Sequence, residues 1–192
     1  MRHGRTEWNV ARRFQGQSDI PLSGEGRAQA AATAAALASV PLEAIVSSDL
    51  SRAHETARAI AAHHGLEVES DPRLREFAFG EWEGLTWDQI VARFPVARDM
   101  AFSSVRAYRP TGGEAFGAVR ARVAQALDAY RDREGTVAFV THAGALHALL
   151  DILVSGDVDL SGVRLTPASI TRIAMDSARP RLMSLDDVRH LD

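Results

Sequence analysis

The sequence predicts an α/β fold, a three-layer sandwich in which helices cover both faces of a mostly parallel central sheet. Strand-like and helix-like segments alternate along the chain, as they do around parallel sheets. The clearest strand is the continuous apolar run 136–141, which is typical of a parallel strand buried on both faces. The 192 residues are enough for one hydrophobic core, and we expect a single domain over residues 1–192.

Capping residues mark where the predicted helices begin and end. Ser23 is a good N-cap, and the alanine-rich run that follows it to Leu37 has high helix propensity. Gly65 ends the helix that begins near Leu50. The predicted elements in chain order are helix 24–37, strand 44–47, helix 50–64, strand 66–69, an irregular aromatic-rich stretch 72–110, helix 114–133, strand 136–141, helix 145–154 and strands 170–175 and 181–185.

The composition excludes several classes of function. The chain has no cysteine, which excludes disulfides, thiolate nucleophiles and cysteine-ligated zinc. Its net charge of −3 disfavours a broad basic surface for nucleic acid, although a small basic pocket is compatible with that charge. The N-terminus lacks the apolar core of a secretory signal, and the longest apolar stretch, 28–40, is too short to span a bilayer. We therefore expect a cytoplasmic protein with no nucleic-acid partner and no membrane association.

Two strand-to-helix turns place polar residues at the predicted carboxyl edge of the sheet. Residues 47–49 follow one strand, and residues 142–144 follow another. Ligands of open α/β sheets bind beyond this edge. A helix that begins there offers free N–H groups and a positive dipole, which suit a phosphate. The sequence therefore predicts a ligand site at this edge.

Four segments of the chain contain residue types that together could form a phosphoryl-transfer site without a metal. They are residues 2–4, 48–52, 74–76 and 141–144. A neutral imidazole such as that of His3 can attack phosphorus and divide hydrolysis into two easier steps. Arg2, Arg52 and His142 can donate to the phosphoryl oxygens, which carry charge throughout the reaction. Glu76 can give a proton to the leaving alkoxide and then take one from the attacking water.

These segments resemble, in order and over nearly the whole chain, the signature blocks of the histidine phosphatase superfamily, also called the phosphoglycerate mutase-like family. The resemblance implies the phosphoglycerate mutase-like fold and phosphoryl transfer that needs neither a metal nor a cofactor. The matching blocks are residues 2–9, 13–16, 19–23, 47–53, 74–76, 79–84, 112–114 and 141–144.

The resemblance also implies a role for each site residue. By it, His3 is the phosphorylated nucleophile and Glu76 is the proton donor and acceptor. The phosphate pocket is expected to consist of Arg2, Arg52 and His142. Further substrate contacts are expected from Thr6, Asn9, Gln15, Gly16 and Ala143.

Within the family, the chain length of 192 residues and the stretch 79–84 after the acid favour the phosphatase branch over the longer cofactor-dependent mutases. The chain is similar to broad-specificity phosphatases and α-ribazole phosphatase. The expected substrate is a small phosphate ester, and residues 77–110 are expected to form a cap region over the site. The sequence leaves open which ester is used and whether the protein is a homodimer.

An inactive binding or regulatory module is the alternative from a different class. Family members have an apolar strand before the Arg-His-Gly tripeptide, whereas this chain begins at Met1. The first strand is therefore expected to be missing, and we expect upstream residues to supply it. Without that strand, its two neighbours in the sheet would lose ladder partners.

Overall fold

The computed structural model describes residues 1–98, 109–154, 160, 162–175 and 179–192. Three parallel strands, β1 (Leu42–Ser47), β2 (Val68–Ser70) and β3 (Thr136–Val140), form a sheet in the order β2-β1-β3. Two further strands, β4 (Ile170–Ala174) and β5 (Arg181–Asp187), pair antiparallel. The predicted α/β fold with a mostly parallel sheet is confirmed, and all five predicted strands lie close to their predicted bounds.

Helices occupy most of the connections between strands. They are α1 (Glu7–Val10), α2 (Gly24–Leu37), α3 (Ser51–His64), α4 (Trp87–Arg93), α5 (Phe116–Asp128) and α6 (Ala143–Val154), with short 3₁₀ turns at Pro72–Leu74, Gly80–Trp82, Pro95–Ala97 and Arg189–Leu191. The predicted helix 114–133 is too long at both ends. Beyond α5 the backbone turns through shorter-range bonds, such as that from Tyr130 N to Leu127 O, 3.1 Å.

The predicted helix caps are present. The Ser23 hydroxyl accepts from Gly26 N at 3.0 Å, which satisfies one of the free N–H groups at the start of α2. Gly65 ends α3 in the left-handed conformation, with φ of 63°. These two caps define the start of α2 and the end of α3, the two helices that precede and follow β1.

Neighbouring residues of β1 face opposite layers of the molecule. Ile45 packs with Ala34 of α2 and Ile60 of α3 on one face. Val46 packs on the other face with Ala126 of α5, against which α6 also lies. Both faces of the sheet are covered, which explains the continuous apolar strand sequences and confirms the three-layer arrangement.

Residues Met1 to His3 extend the sheet beside β3. The Met1 nitrogen donates to Phe139 O at 2.8 Å, and His3 N donates to Thr141 O at 2.9 Å. On the other side, His3 O accepts from Ala168 N at 2.9 Å. These three residues replace part of the ladder that the neighbours were expected to lose, at the end of β3 and in the segment before β4, and β4 and β5 otherwise form a sheet of their own. The segment carries His3 to the carboxyl edge of the sheet. That upstream residues supply the rest of the strand stays a prediction.

The stretch 72–110 is not wholly irregular, as the sequence led us to expect. It contains α4, which begins with a capping box: the Thr86 hydroxyl accepts from Gln89 N, and the Gln89 side chain accepts from Thr86 N at 3.0 Å. The Thr-x-x-Gln pattern is a helix-start signal that the prediction overlooked. The short α1 was overlooked in the same way, since Thr6 and Asn9 form its capping box.

Part of the predicted cap 77–110 belongs to the core. Trp82 is 1% exposed and packs with Ile90 of α4 and with Phe14. Residues 99–108 of the predicted cap lie outside the described residues. Within the described parts of the chain, no helix combines the length and apolar character needed to cross a membrane.

We expect Gly26→Ala to destabilise the protein by about 1–3 kcal/mol, because the start of α2 touches the backbone that follows His3. A Cβ at Gly26 would lie 1.9 Å from Arg5 O, whereas a Cβ at Gly24, also in α2, would meet nothing within 4 Å. Gly24→Ala is therefore the matched control, with stability unchanged or slightly raised. Urea unfolding measures both, and equal stability of the two variants would contradict the close contact.

Candidate active site

The proposed nucleophile and the second histidine lie side by side at the carboxyl edge of the sheet. His3 ends the short segment beside β3, and His142 lies in the turn between β3 and α6. Their ring centroids are 5.0 Å apart, and both side chains are buried. Ser48, in the turn after β1, joins them, because its hydroxyl lies 2.9 Å from His142 Nε2. The predicted meeting of the turns at 47–49 and 142–144 is confirmed.

The hydrogen bonding of His3 identifies its free nitrogen. Its Nδ1 lies 2.6 Å from Gly4 O. Because a carbonyl oxygen can only accept, Nδ1 carries the proton and Nε2 keeps its lone pair. Burial lowers the pKa of His3 well below its ordinary value, and the charges of Arg52 and Arg2 lower it further. His3 is therefore a neutral imidazole with a nucleophilic Nε2.

Arg52 holds His142 in the opposite tautomer. Arg52 Nε donates to His142 Nδ1 at 3.2 Å, so His142 carries its proton on Nε2, where it donates to Ser48 Oγ. Burial is the main cause that lowers the pKa of His142 well below its ordinary value, followed by the charge of Arg52. Burial also lowers the pKa of Arg52 itself, to about 10. At neutral pH this places a cation next to two neutral imidazoles.

Arg2, the residue before His3, supplies a second cation, and its charge also acts on His3. One of its terminal nitrogens donates to Leu165 O. Its Nε is buried and has no hydrogen-bond partner among the residues that the structure describes. Burial lowers the pKa of Arg2, and the negative charge of Glu76 partly offsets this effect, as it does for Arg52. The three charged groups thus share one buried pocket.

The Glu76 carboxylate is bound to backbone at the start of α6. Its Oε1 accepts from Phe77 N at 2.8 Å and from Gly144 N at 2.9 Å. A Cβ on Gly144 would lie 2.4 Å from that oxygen, so only glycine allows the carboxylate to approach this closely. The glycine after His142-Ala143 is therefore a packing requirement of Glu76. Ala143 itself is the first residue of α6.

The other predicted contact residues bond to Arg52 or to one another. Gly16 O accepts from Arg52 at 2.8 Å. The buried Thr6 hydroxyl lies 3.0 Å from Gln15 Oε1 and 3.1 Å from the Asn9 side-chain oxygen. The Asn9 oxygen also accepts from Thr6 N, so it belongs to the cap of α1. These residues are brought together as predicted, and their contact with a substrate stays a prediction.

Four residues that shape the site were not among the predicted ones: Ser48, Glu83, Glu114 and Arg122. Glu83 Oε1 accepts from Gln17 N at 3.0 Å, and its Oε2 accepts from Ser18 N at 2.9 Å. It thereby holds the loop whose Gly16 and Ser18 carbonyls bind Arg52. Ser48, Glu83 and Glu114 lie inside the matching sequence blocks, where their presence was visible although their contacts were not.

In the part of the chain that the structure describes, no group of three or more histidine, aspartate and glutamate side chains is arranged to hold a metal ion. The charges of the pocket instead come from Arg2, Arg52 and Glu76. Fixed guanidinium groups beside a neutral histidine are suited to transfer of a phosphoryl group.

This fold and this pocket define the class of protein. The sequence profile of the Histidine phosphatase superfamily (branch 1) matches residues 1–188. The chain belongs to this superfamily, and it is a phosphatase. The family that the sequence blocks resembled is thus confirmed.

Particular relatives agree with this assignment. The chain is 42% identical over 159 residues to glucosyl-3-phosphoglycerate phosphatase of Mycobacterium tuberculosis (strain H37Rv), covering 78% of this chain and 71% of that protein. It is 34% identical over 201 residues to the probable phosphoglycerate mutase GpmB of Enterobacter sp. (strain 638), covering 100% of this chain and 93% of that protein. Among solved structures, Bacillus stearothermophilus YhfR is similar, with 34% identity, a TM-score of 0.89, and coverage of 100% of this chain and 96% of that one.

We expect the free energy of unfolding to fall as the pH is lowered below about 6.5, the ordinary pKa of histidine. The pKa values of His3 and His142 are lowered in the folded state, so below that pH the unfolded chain binds more protons. Each group contributes up to about 1.4 kcal/mol per pH unit. Urea unfolding at pH 7.5, 6.5 and 5.5 measures the slope.

The variant His3→Gln isolates the contribution of one ring in this experiment. Its slope between pH 6.5 and 5.5 is expected to be smaller than that of the wild type by about the contribution of one group. Identical slopes for the two proteins, or an NMR titration of His3 near its ordinary pKa, would show that His3 is not held neutral by its surroundings.

Proposed function

We propose that the protein hydrolyses small phosphate monoesters without a metal, through a phosphoryl group carried on Nε2 of His3. The state of His3 is the observation that carries this proposal. The ring is buried and neutral, its proton is on Nδ1, and Arg2 and Arg52 are close enough to lower its pKa. A nucleophile needs a free lone pair, and the phosphoryl group that it receives needs fixed cations around it.

The two arginines have donors available for that group. A guanidinium has five N–H groups, and those of Arg52 make three bonds to protein, to His142 Nδ1 and to two loop carbonyls. The buried Nε of Arg2 has no protein partner among the described residues. We assign the remaining N–H groups of both arginines to the phosphoryl oxygens. His142 joins them when its Nε2–H turns from Ser48 to the phosphate.

Glu76 completes the reaction in two steps. In the first, Glu76 has taken up a proton before the reaction, the lone pair of His3 Nε2 bonds to phosphorus, the ester P–O bond breaks, and Glu76 gives its proton to the departing alkoxide. In the second, the Glu76 carboxylate takes a proton from water, the water oxygen bonds to phosphorus, and the P–N bond breaks. Inorganic phosphate leaves and His3 is neutral again. The positive charge on the phosphorylated ring is supported by the Nδ1–H bond to Gly4 O.

The proposed substrate is a small phosphorylated metabolite, and glucosyl-3-phosphoglycerate is the first compound to test. The support for it is the mycobacterial relative that bears this name, at 42% identity. We further propose that residues 77–110 act as a cap that selects the ester within a single domain, 1–192. The support for this assignment is that the stretch follows Glu76 directly in the sequence. Phe77, its first residue, packs in the core against α5 and α6.

Three other expectations stay predictions from the sequence: the cytoplasmic location, the absence of a nucleic-acid partner, and a homodimer as a possible oligomeric state. The further predicted substrate contacts are retained as part of this proposal. They are Thr6, Asn9, Gln15, Gly16 and Ala143.

We expect His3→Ala to lower the hydrolysis of p-nitrophenyl phosphate by roughly three orders of magnitude or more, because the variant loses the Nε2 lone pair that receives the phosphoryl group. Exposed His63, at the end of α3, provides the control variant His63→Ala with wild-type turnover. Quenching the wild type in alkali during turnover of a phosphorus-labelled substrate should leave label on His3. Equal activity of wild type and His3→Ala would refute the mechanism.

A substrate panel tests the choice of ester and the mutase alternative together. We expect kcat/KM for phosphate release from glucosyl-3-phosphoglycerate to exceed that from 3-phosphoglycerate by about tenfold or more, if the cap selects the larger ester. Phosphorus NMR of the reaction with 3-phosphoglycerate follows isomerisation to 2-phosphoglycerate in the same sample. Isomerisation faster than hydrolysis would favour the alternative that the protein is a mutase. This alternative is considered because the chain is 34% identical to the probable phosphoglycerate mutase GpmB.

A further inference from the structure

The loop that carries Glu76 is held to the rest of the protein through its backbone. Arg122, on α5, donates to three of its carbonyl groups: to Arg73 O at 2.7 Å, to Arg75 O at 2.6 Å and to Glu76 O at 2.8 Å. These contacts bridge 46 to 49 residues of sequence and end on the main chain of Glu76 itself. A single side chain from a helix thus fixes the backbone on which the proposed acid–base group stands.

Glu114, just before α5, completes this contact from the other side. Its two carboxylate oxygens accept from Arg122 at 3.0 and 2.9 Å, and Oε2 also accepts from Ala78 N at 2.9 Å. Gln17 adds a bond from its side-chain nitrogen to Glu76 O at 3.2 Å. The loop is therefore held on its carbonyls by Arg122 and on an N–H group by Glu114.

The ion pair between Arg122 and Glu114 is largely shielded from solvent. The Arg122 and Glu114 side chains are 17% and 23% exposed. Burial raises the pKa of Glu114, but the bond from Arg122 and the Ala78 N–H outweigh this effect, and the net result is a lowered pKa. The pair is therefore ionised, and its charge-assisted bonds are stronger than those between neutral groups.

The carboxylate of Glu76 is bound at its other end to Gly144 N, at the start of α6. Its main chain is tied to α5 and its side-chain oxygens to α6, so the distance between these two helices sets where the carboxyl group lies relative to His3. A proton donor must be within hydrogen-bond reach of the leaving oxygen, and a shift of about 1 Å is enough to slow the reaction strongly.

We propose that Arg122, together with Glu114, is a positioning residue for Glu76, and that its forked bonds to the loop carbonyls set the placement of the acid for the leaving group. This inference rests on the proposed role of Glu76 as acid and base. Lysine cannot replace the arginine, because an ammonium group is a compact point charge without the planar fork that reaches several carbonyls at once.

The leaving group of the substrate separates positioning from general loss of structure. A nitrophenolate departs without a proton, whereas the alkoxide of an alkyl phosphate needs one from the acid. The parameter kcat/KM reports the steps up to the first phosphoryl transfer. We expect Arg122→Met and Arg122→Lys to lower kcat/KM for glycerol 3-phosphate at least about tenfold more than kcat/KM for p-nitrophenyl phosphate.

Arg120→Met is the matched control, on the same helix. Arg120 forms an ion pair with Asp151, and the two side chains are 48% and 36% exposed. We expect this variant to have the kcat/KM of the wild type for both substrates. Glu114→Gln keeps the side-chain volume and one oxygen, and it gives the same test if Arg122→Met does not fold. Circular dichroism of each variant establishes whether it is folded.

The variant Glu76→Gln provides the reference pattern for loss of the acid. One outcome is that Glu76→Gln lowers kcat/KM for glycerol 3-phosphate much more than for p-nitrophenyl phosphate while folded Arg122 and Glu114 variants do not. In that case the positioning role of Arg122 is wrong, and the role of Glu76 as the acid stands. If Glu76→Gln itself fails to separate the two substrates, the proposed role of Glu76 is wrong. Equal losses on both substrates in the Arg122 variants would mean that Arg122 supports structure alone.

Discussion

The buried guanidinium of Arg52 is the interaction on which the rest of the site depends. One side chain bonds to His142 after β3 and to the carbonyls of Gly16 and Ser18 in the loop before α2. A buried cation costs several kcal/mol unless its N–H groups are satisfied, so these three partners have to lie in fixed places. The charge of Arg52 also lowers the pKa of both histidines. The group that organises the loop is therefore also a cause of the neutral state that makes His3 a nucleophile.

The two loops around this cation are both held by charged side chains that bind backbone. Irregular segments leave N–H and C=O groups without partners in a helix or sheet, and buried groups of this kind cost about 1–3 kcal/mol each when they are unpaired. Glu83 accepts from two N–H groups of the loop at 17–18, and Arg122 donates to three carbonyls of the loop at 73–76. In each case one charged side chain satisfies several backbone groups at once. The loops of the site have little regular secondary structure, and yet their backbone is held in place by side-chain hydrogen bonds.

The sequence was sufficient to predict the parts of the molecule that depend on local patterns. The apolar strands, the Ser23 and Gly65 caps and the turns that end at Ser48 and His142 are visible as periodicity, composition and order along the chain. Helix α4 had a local signal, the Thr86 capping box, and could have been found. The contacts of Arg122 had none, because they join residues 46 to 49 positions apart and an arginine on a helix is ordinarily a solvated residue. The sheet bonds of Met1 to His3 likewise depend on neighbours, Thr141 and Ala168, that only the fold brings near.

The sequence blocks that resemble the family contain two kinds of constraint, and only one of them concerns catalysis. A Cβ on Gly4 would lie 2.5 Å from Gly26 O, and one on Gly144 would lie 2.4 Å from the Glu76 carboxylate. Gly4 is required by close packing against α2, and a chain that kept the fold without the chemistry would still need it, whereas Gly144 is required only while the Glu76 carboxylate lies against it. His3, Glu76 and the arginine donors differ, since burying an unused cation or a neutral imidazole beside it has a cost and no benefit to the fold. The presence of these groups, more than the glycines of the Arg-His-Gly and His-Ala-Gly segments, therefore argues against an inactive module.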